Sequence, residues 1–100
     1  MNKVILMGRL TREPEMFGQK TKVARFTLAV DRTYGEVETD FFNCVSFGKQ
    51  VEFVENYLKK GIKVLITGRL QNNNYEDKQG NKVTATQIIT EEIEFAESKK

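Results

Sequence analysis

Tyr34, Phe41, Phe47 and Tyr75 are the side chains of this sequence best placed to do chemistry, and that chemistry is stacking on flat, unpaired rings. They are interleaved with Arg25, Arg32, Asn43, Lys49, Arg69 and an Asn72-Asn73-Asn74 run. Aromatic platforms among scattered cations hold single nucleic-acid strands without reading their sequence, and each base stack contributes about 1–3 kcal/mol.

Catalytic readings find little support. The chain contains no histidine, which removes the commonest general base and metal ligand. It also removes Ser-His and Cys-His nucleophiles. No phosphate-cradling G-x-x-x-x-G-K-[ST], no G-x-G-x-x-G and no H-E-x-x-H is present. Glu91/Glu92 and Glu76/Asp77 read as surface charge pairs, and Asp77 lacks the ligand series of a calcium loop. The single cysteine, Cys44, excludes an intramolecular disulfide and a multi-cysteine metal site. Lying between Asn43 and Val45, it reads as a small buried hydrophobe. Neither enzyme activity nor a cofactor is expected.

Composition sets the frame. One hundred residues, 39% hydrophobic and 30% charged, match one soluble globular domain spanning 1–100. Its core is modest, so oligomerisation can add buried surface. Net charge is +2, but residues 91–100 hold four of the acids and two lysines. The rest of the chain is therefore +4, which is compatible with an ordinary solvated surface and does not prove a nucleic-acid partner. No apolar run approaches the roughly 20 residues that span a bilayer. The short Val4–Met7 stretch is followed at once by Arg9 and Arg12, as a strand and not a signal peptide would be. A cytoplasmic location is the expectation.

The elements that must position the aromatics follow from periodicity. Residues 3–10 read as a largely buried strand with Gly8 at a bend. Residues 11–22 are a polar connection. Residues 23–32 alternate, with Phe26, Leu28 and Val30 on one face and Arg25, Thr27 and Ala29 on the other. After a short turn comes a third strand over 39–47. Its parity places Phe41, Asn43, Val45 and Phe47 on one face and Phe42, Cys44 and Ser46 on the other. A barrel strand would bury one face and offer the other to a ligand; the alternative is that the second face packs on a partner subunit.

From Lys49 to Lys60 the period becomes helical, with Val51, Val54, Tyr57 and Leu58 in a stripe and Phe53 beside it. Glu55 and Lys59 stand at i,i+4, and Gly61 suits the position just past the helix end. Strands follow over 62–71, with a bend at Gly68, and over 82–90, with an extension to Phe95 left open. Asn72–Asn81 reads as a polar hairpin tip turning at Gln79-Gly80-Asn81. All-β with one helix between strands 3 and 4 is the element order of the OB-fold, a five-stranded Greek-key barrel. Another small barrel would also fit the pattern.

Several segments then carry a resemblance. Met1–Glu15, Phe26-Thr27-Leu28-Ala29-Val30, Asp40–Val45, Phe47-Gly48-Lys49-Gln50, Asn56–Gly61 and Thr67-Gly68-Arg69-Leu70-Gln71 resemble, in order, bacterial single-stranded DNA-binding proteins. The resemblance implies an OB barrel, commonly a homotetramer, that wraps single-stranded DNA in replication, recombination or repair. By position it implies base stacking at Tyr34, Phe41, Phe47 and Tyr75. Polar or basic contacts are implied at Arg9, Arg32, Asn43, Lys49, Arg69 and Asn73. The family often carries tryptophan at several stacking positions; this chain has none. The turn at 34–39 is shorter than the family's. The sequence stops at Lys100, without the acidic, phenylalanine-tipped tail that recruits repair and replication proteins. Tail-mediated partners are therefore not expected, whether the chain is naturally short or truncated. Competing readings are a primosome-type OB protein that bridges replication proteins as a dimer, and an interaction domain whose strand aromatics are interface core.

Overall fold

The computed structural model describes residues 1–18, 22–33 and 38–96. Tyr34 lies outside them. The elements are β1 (Val4–Leu10), β2 (Glu15–Phe17), β3 (Val23–Asp31), β4 (Thr39–Phe47), α1 (Lys49–Tyr57), β5 (Lys63–Glu76) and β6 (Lys82–Phe95). β1 pairs antiparallel with β5 on one edge and with β3 on the other, so the ring closes as β1-β5-β6-β4-β3. A short parallel contact, Cys44 with Ile88 and Val45 with Ile89, joins β4 to β6.

This is the five-stranded barrel expected from the element order, with one addition. Three residues of the polar connection, Glu15–Phe17, form β2 on the free edge of β3. Counting it, the helix follows the fourth strand and not the third. A segment of three residues is too short to show a period, and its extended state is set by the edge it pairs with.

Strand alternation matches burial closely. Ala24, Phe26 and Leu28 of β3 and Cys44 and Ser46 of β4 point inward and are buried. Val51, Val54 and Leu58 cap that interior from the helix side, joining Leu10, Val64, Ile66 and Ile88 in one cluster. Burial pushes the Cys44 thiol up to about 12, as expected of an inert core side chain.

Barrel closure brings backbones close at two glycines. A Cβ on Gly68 would lie 2.2 Å from the Ile89 carbonyl oxygen, and one on Gly8 would lie 2.3 Å from that of Ala29. Gly68 also sits at the register irregularity between Thr67 and Gly68, where β5 bends.

The helix is shorter than its period implied. It ends at Tyr57, and Leu58 is already extended, its amide still bonded to the Val54 carbonyl at 3.1 Å. Lys59 and Lys60 therefore lie beyond the helix, and the Glu55–Lys59 spacing is not a helical pair. Gly61 belongs to the following turn, donating its amide to the Leu10 carbonyl at 2.8 Å. Tyr57 is half exposed and leaves the core to pack on Phe53 and Phe95, at centroid distances of 5.2 and 6.4 Å. Among the described residues no helix is long and apolar enough to cross a membrane.

Candidate nucleic-acid interface

Antiparallel register fixes which outward side chains share a row, because directly opposed residues point to the same face. Across β1, β3 and β4 one row reads Arg9–Ala29–Phe41. Further along β3 and β4, Thr27 faces Asn43 and Arg25 faces Val45. The last row crosses three strands as Phe17–Val23–Phe47. Two phenylalanines of β4 thus stand on one outer face, Phe41 at 66% exposure and Phe47 at 45%. Asn43 lies between them, its Oδ1 accepting the Thr27 hydroxyl at 3.3 Å. Val45, on the same face, is buried.

β5 and β6 form a long arm whose pairing continues to Glu76–Lys82. The polar stretch from Asn72 is thus strand and not loop tip; the turn proper is Asp77–Asn81. There Asp77 Oδ1 accepts the amides of Gln79 and Asn81, both at 2.9 Å. Strand parity divides the asparagine run. Asn72 and Asn74 share one face and accept the hydroxyls of Thr86 at 3.0 Å and Thr84 at 2.8 Å. Asn73 is on the other face with Arg69, Gln71 and Tyr75. That face borders a groove of about 360 Å³, where Asn73 and Gln87 of the arm meet Asn43 and Arg25 of the sheet. Tyr75, opposite Val83, is half exposed on the arm, a strand residue where a loop residue was expected. Arg69 donates to Gln71 Oε1 at 2.9 Å.

Lys49 opens α1 directly after Phe47-Gly48 and is exposed. A cation at the positive end of a helix is locally unfavourable by a few tenths of a kcal/mol or more. Local rules are broken most often where function requires it. The start of the helix is held in place by its neighbour Gln50, bonded through Oε1 to the Thr90 hydroxyl and through Nε2 to the Glu91 carbonyl. The Thr90 hydroxyl also meets the buried Ser46 hydroxyl at 2.6 Å.

Two expected cations are already engaged. Arg9 keeps its outward position but donates to the Gly61 carbonyl at 2.9 Å. Arg32 is not brought to the aromatic face. It makes a two-pronged contact with Asp40, both bonds at 3.0 Å, and reaches Glu38 at 2.6 Å. Asp40 shares the parity of Phe42, not of Phe41, so this cluster lies at the barrel rim.

The hydrogen bonds from Arg32 hold the Asp40 carboxyl below its ordinary 3.8, desolvation opposing and charge attraction assisting. The same contact raises Arg32. A carboxyl lowered in the folded state contributes stability above its ordinary pKa and loses it as pH falls below 3.8 through the folded value. In an NMR titration the Asp40 midpoint should lie below 3.8 and rise in Arg32→Ala. A midpoint indifferent to Arg32→Ala would show that some other group holds the carboxyl down.

One aromatic residue of this face escaped sequence reasoning. Phe17 of β2 is 44% exposed, and the Arg25 guanidinium lies over its ring, 5.1 Å from the centroid. Within a three-residue strand, no alternation marks which way Phe17 points.

A closed five-strand barrel with an aromatic outer face and a long hairpin arm beside a polar groove is an OB-fold. That architecture's strand face and loops take oligonucleotides and oligosaccharides. The sequence matches the Single-strand binding protein family over residues 1–96, and the chain belongs to that family. It is similar to Single-stranded DNA-binding protein A of Bacillus subtilis, 47% identical over 105 residues that cover 99% of this chain and 61% of that one. The Single-stranded DNA-binding protein of Fusobacterium nucleatum is also 47% identical, with 99% of this chain and 69% of that protein covered. Single-stranded DNA-binding protein 1 of Staphylococcus aureus is 48% identical, with 99% and 67% covered. The chain thus spans 61–69% of the length of these relatives. The solved Plasmodium falciparum SSB complex with ssDNA superposes with a TM-score of 0.88 at 26% identity, covering 97% of this chain and 96% of that one.

Proposed function

We propose that this chain is a single OB-fold unit that binds and protects single-stranded DNA with little sequence preference, in the cytoplasm, during replication, recombination or repair. It acts by binding and not by catalysis. The observation that carries this reading is the β4 outer face, where Phe41 and Phe47 stand exposed on either side of Asn43. Large exposed rings in a strand gain little from the fold itself, whereas every base offers a π-face to stack on. Tyr75 on the arm and Tyr34 complete the proposed stacking set. Asn43 and Asn73 supply amides at the groove, and Lys49 and Arg69 supply exposed positive charge near phosphates. Arg9 and Arg32 belong to the set only if strand binding draws them from their present partners, most of all Arg32 from Asp40.

The chain is proposed to work as a homotetramer. Ile5 and Met7, exposed on the outer face of β1, favour burial against another copy.

The test is a titration of labelled oligo(dT) at low and moderate salt with duplex DNA as competitor. Tight binding that weakens with salt and resists duplex is the expected result. Binding no stronger than to duplex would overturn the reading.

A further inference from the structure

We propose that Phe17 and Arg25 form an additional nucleobase-stacking platform, which extends the bound strand from Phe47 across β3 to the β2 edge. The inference rests on the single-strand reading above. Four observations carry it.

The first is register. Phe17 pairs with Val23, and Val23 pairs with Phe47, so both rings project from one face in one row. Neighbouring strands are about 4.8 Å apart, which puts the two ring positions roughly 10 Å apart. Nearby nucleotides of one extended strand can span that separation. The second is exposure. Phe17 remains 44% exposed although a guanidinium covers part of it, so ring surface is left for a ligand. The third is the cation. Among the described residues Arg25 forms no ion pair, and its N–H edge is left to meet a phosphate or a base edge. A guanidinium stacked on one face of the ring also restricts the ring before any base arrives. The fourth is surroundings. Phe17 and Arg25 line the same groove as Asn43, Asn73 and Gln87, whose amides can bond base edges of any identity.

The electrostatics define what kind of site this is. Glu15 lies directly across from Arg25, and Glu13 and Glu15 both border the groove. Arg12 and Arg25 are matched there by Glu13 and Glu15, so the groove edge carries no net charge and stacking dominates at this position. Losing the ring should lower affinity while leaving the salt dependence nearly unchanged, unlike the loss of a phosphate contact.

The absence of tryptophan makes a direct readout available. Phe17→Trp and, as a reference, Phe47→Trp each introduce one indole whose emission is quenched by a stacked base. Both should fold, because each site is exposed and already aromatic; circular dichroism checks this. On titration with oligo(dT), quenching in both variants is the expected result. Phe17→Ala should in addition weaken binding about 5- to 150-fold, with an unaltered salt slope. Quenching at Phe47→Trp with none at Phe17→Trp, and full affinity in Phe17→Ala, would overturn the platform and leave the single-strand reading standing. No quenching in either variant, with no oligo(dT) binding by the unmodified chain, would overturn both.

Discussion

Phe41→Ala combined with Phe47→Ala should weaken oligo(dT) binding by about 2–6 kcal/mol, roughly 30-fold to more than ten-thousandfold, with the barrel intact. Each ring holds one stacked base. The two residues are six positions apart on one strand, with Asn43 and Val45 between them on the same face. They do not touch, so their losses should nearly add. The fold should survive because both rings are exposed, at 66% and 45%, and are absent from the buried cluster. A fluorescence-anisotropy titration of the single and double variants gives the affinities, and a thermal melt checks the fold. If the double variant binds as tightly as the unmodified chain, the β4 face is not the platform, and a role in assembly becomes the better account of its aromatics. A shift in oligomeric state without loss of affinity would point the same way.

Gly68→Ala should destabilise the chain by about 3 kcal/mol or more, out of the 5–15 kcal/mol typical of a whole domain. The added Cβ would sit 2.2 Å from the Ile89 carbonyl oxygen and 3.1 Å from its carbon. Both atoms are backbone, so no rotamer change relieves the contact. β5 and β6 must separate at the point where β5 bends and where Ile89 also pairs with Val45 to tie β6 to β4. Relaxation there opens the barrel's parallel seam. For a domain of this size the loss corresponds to a fall in Tm of about 12–24 °C. A melt within about 5 °C of the unmodified chain would show that the strands part without strain and that closure does not depend on Gly68. The arm should also lose its aim over the groove, so nucleic-acid affinity should fall although Gly68 touches no ligand.

The two variants separate what the strand carries locally from what closure imposes. Parity in 39–47 was legible because strand alternation has a period of two and needs no partner. It placed Phe41, Asn43 and Phe47 together and sent Cys44 and Ser46 inward, as observed. The helix was legible through Val51, Val54 and Leu58, all buried, but its end was not. Leu58 and Gly61 serve the turn back into β5, and Tyr57 packs on Phe95, a residue distant from it in the chain. From sequence the polar arm reads as loop, because Asn and Gln carry no hydrophobic alternation. Its strand state is held by pairing to β6 and by Asn–Thr bonds across the ribbon.

Legible in the chain alone were the order of the five long strands and the helix, the inward and outward faces of β3 and β4, and the resemblance that names the family. The first two rest on residues near one another in the chain, where backbone geometry alone sets the period; the third rests on short segments met in order along it. Folding alone makes β2 a strand, brings Phe17 into the row of Phe47 and lays Arg25 over its ring. It also decided that Asn73 faces the groove while Asn72 and Asn74 turn away, and that Asp40 and Glu38 capture Arg32. These are outcomes of register and of charge meeting charge across folded strands, and they exist only once the barrel has closed.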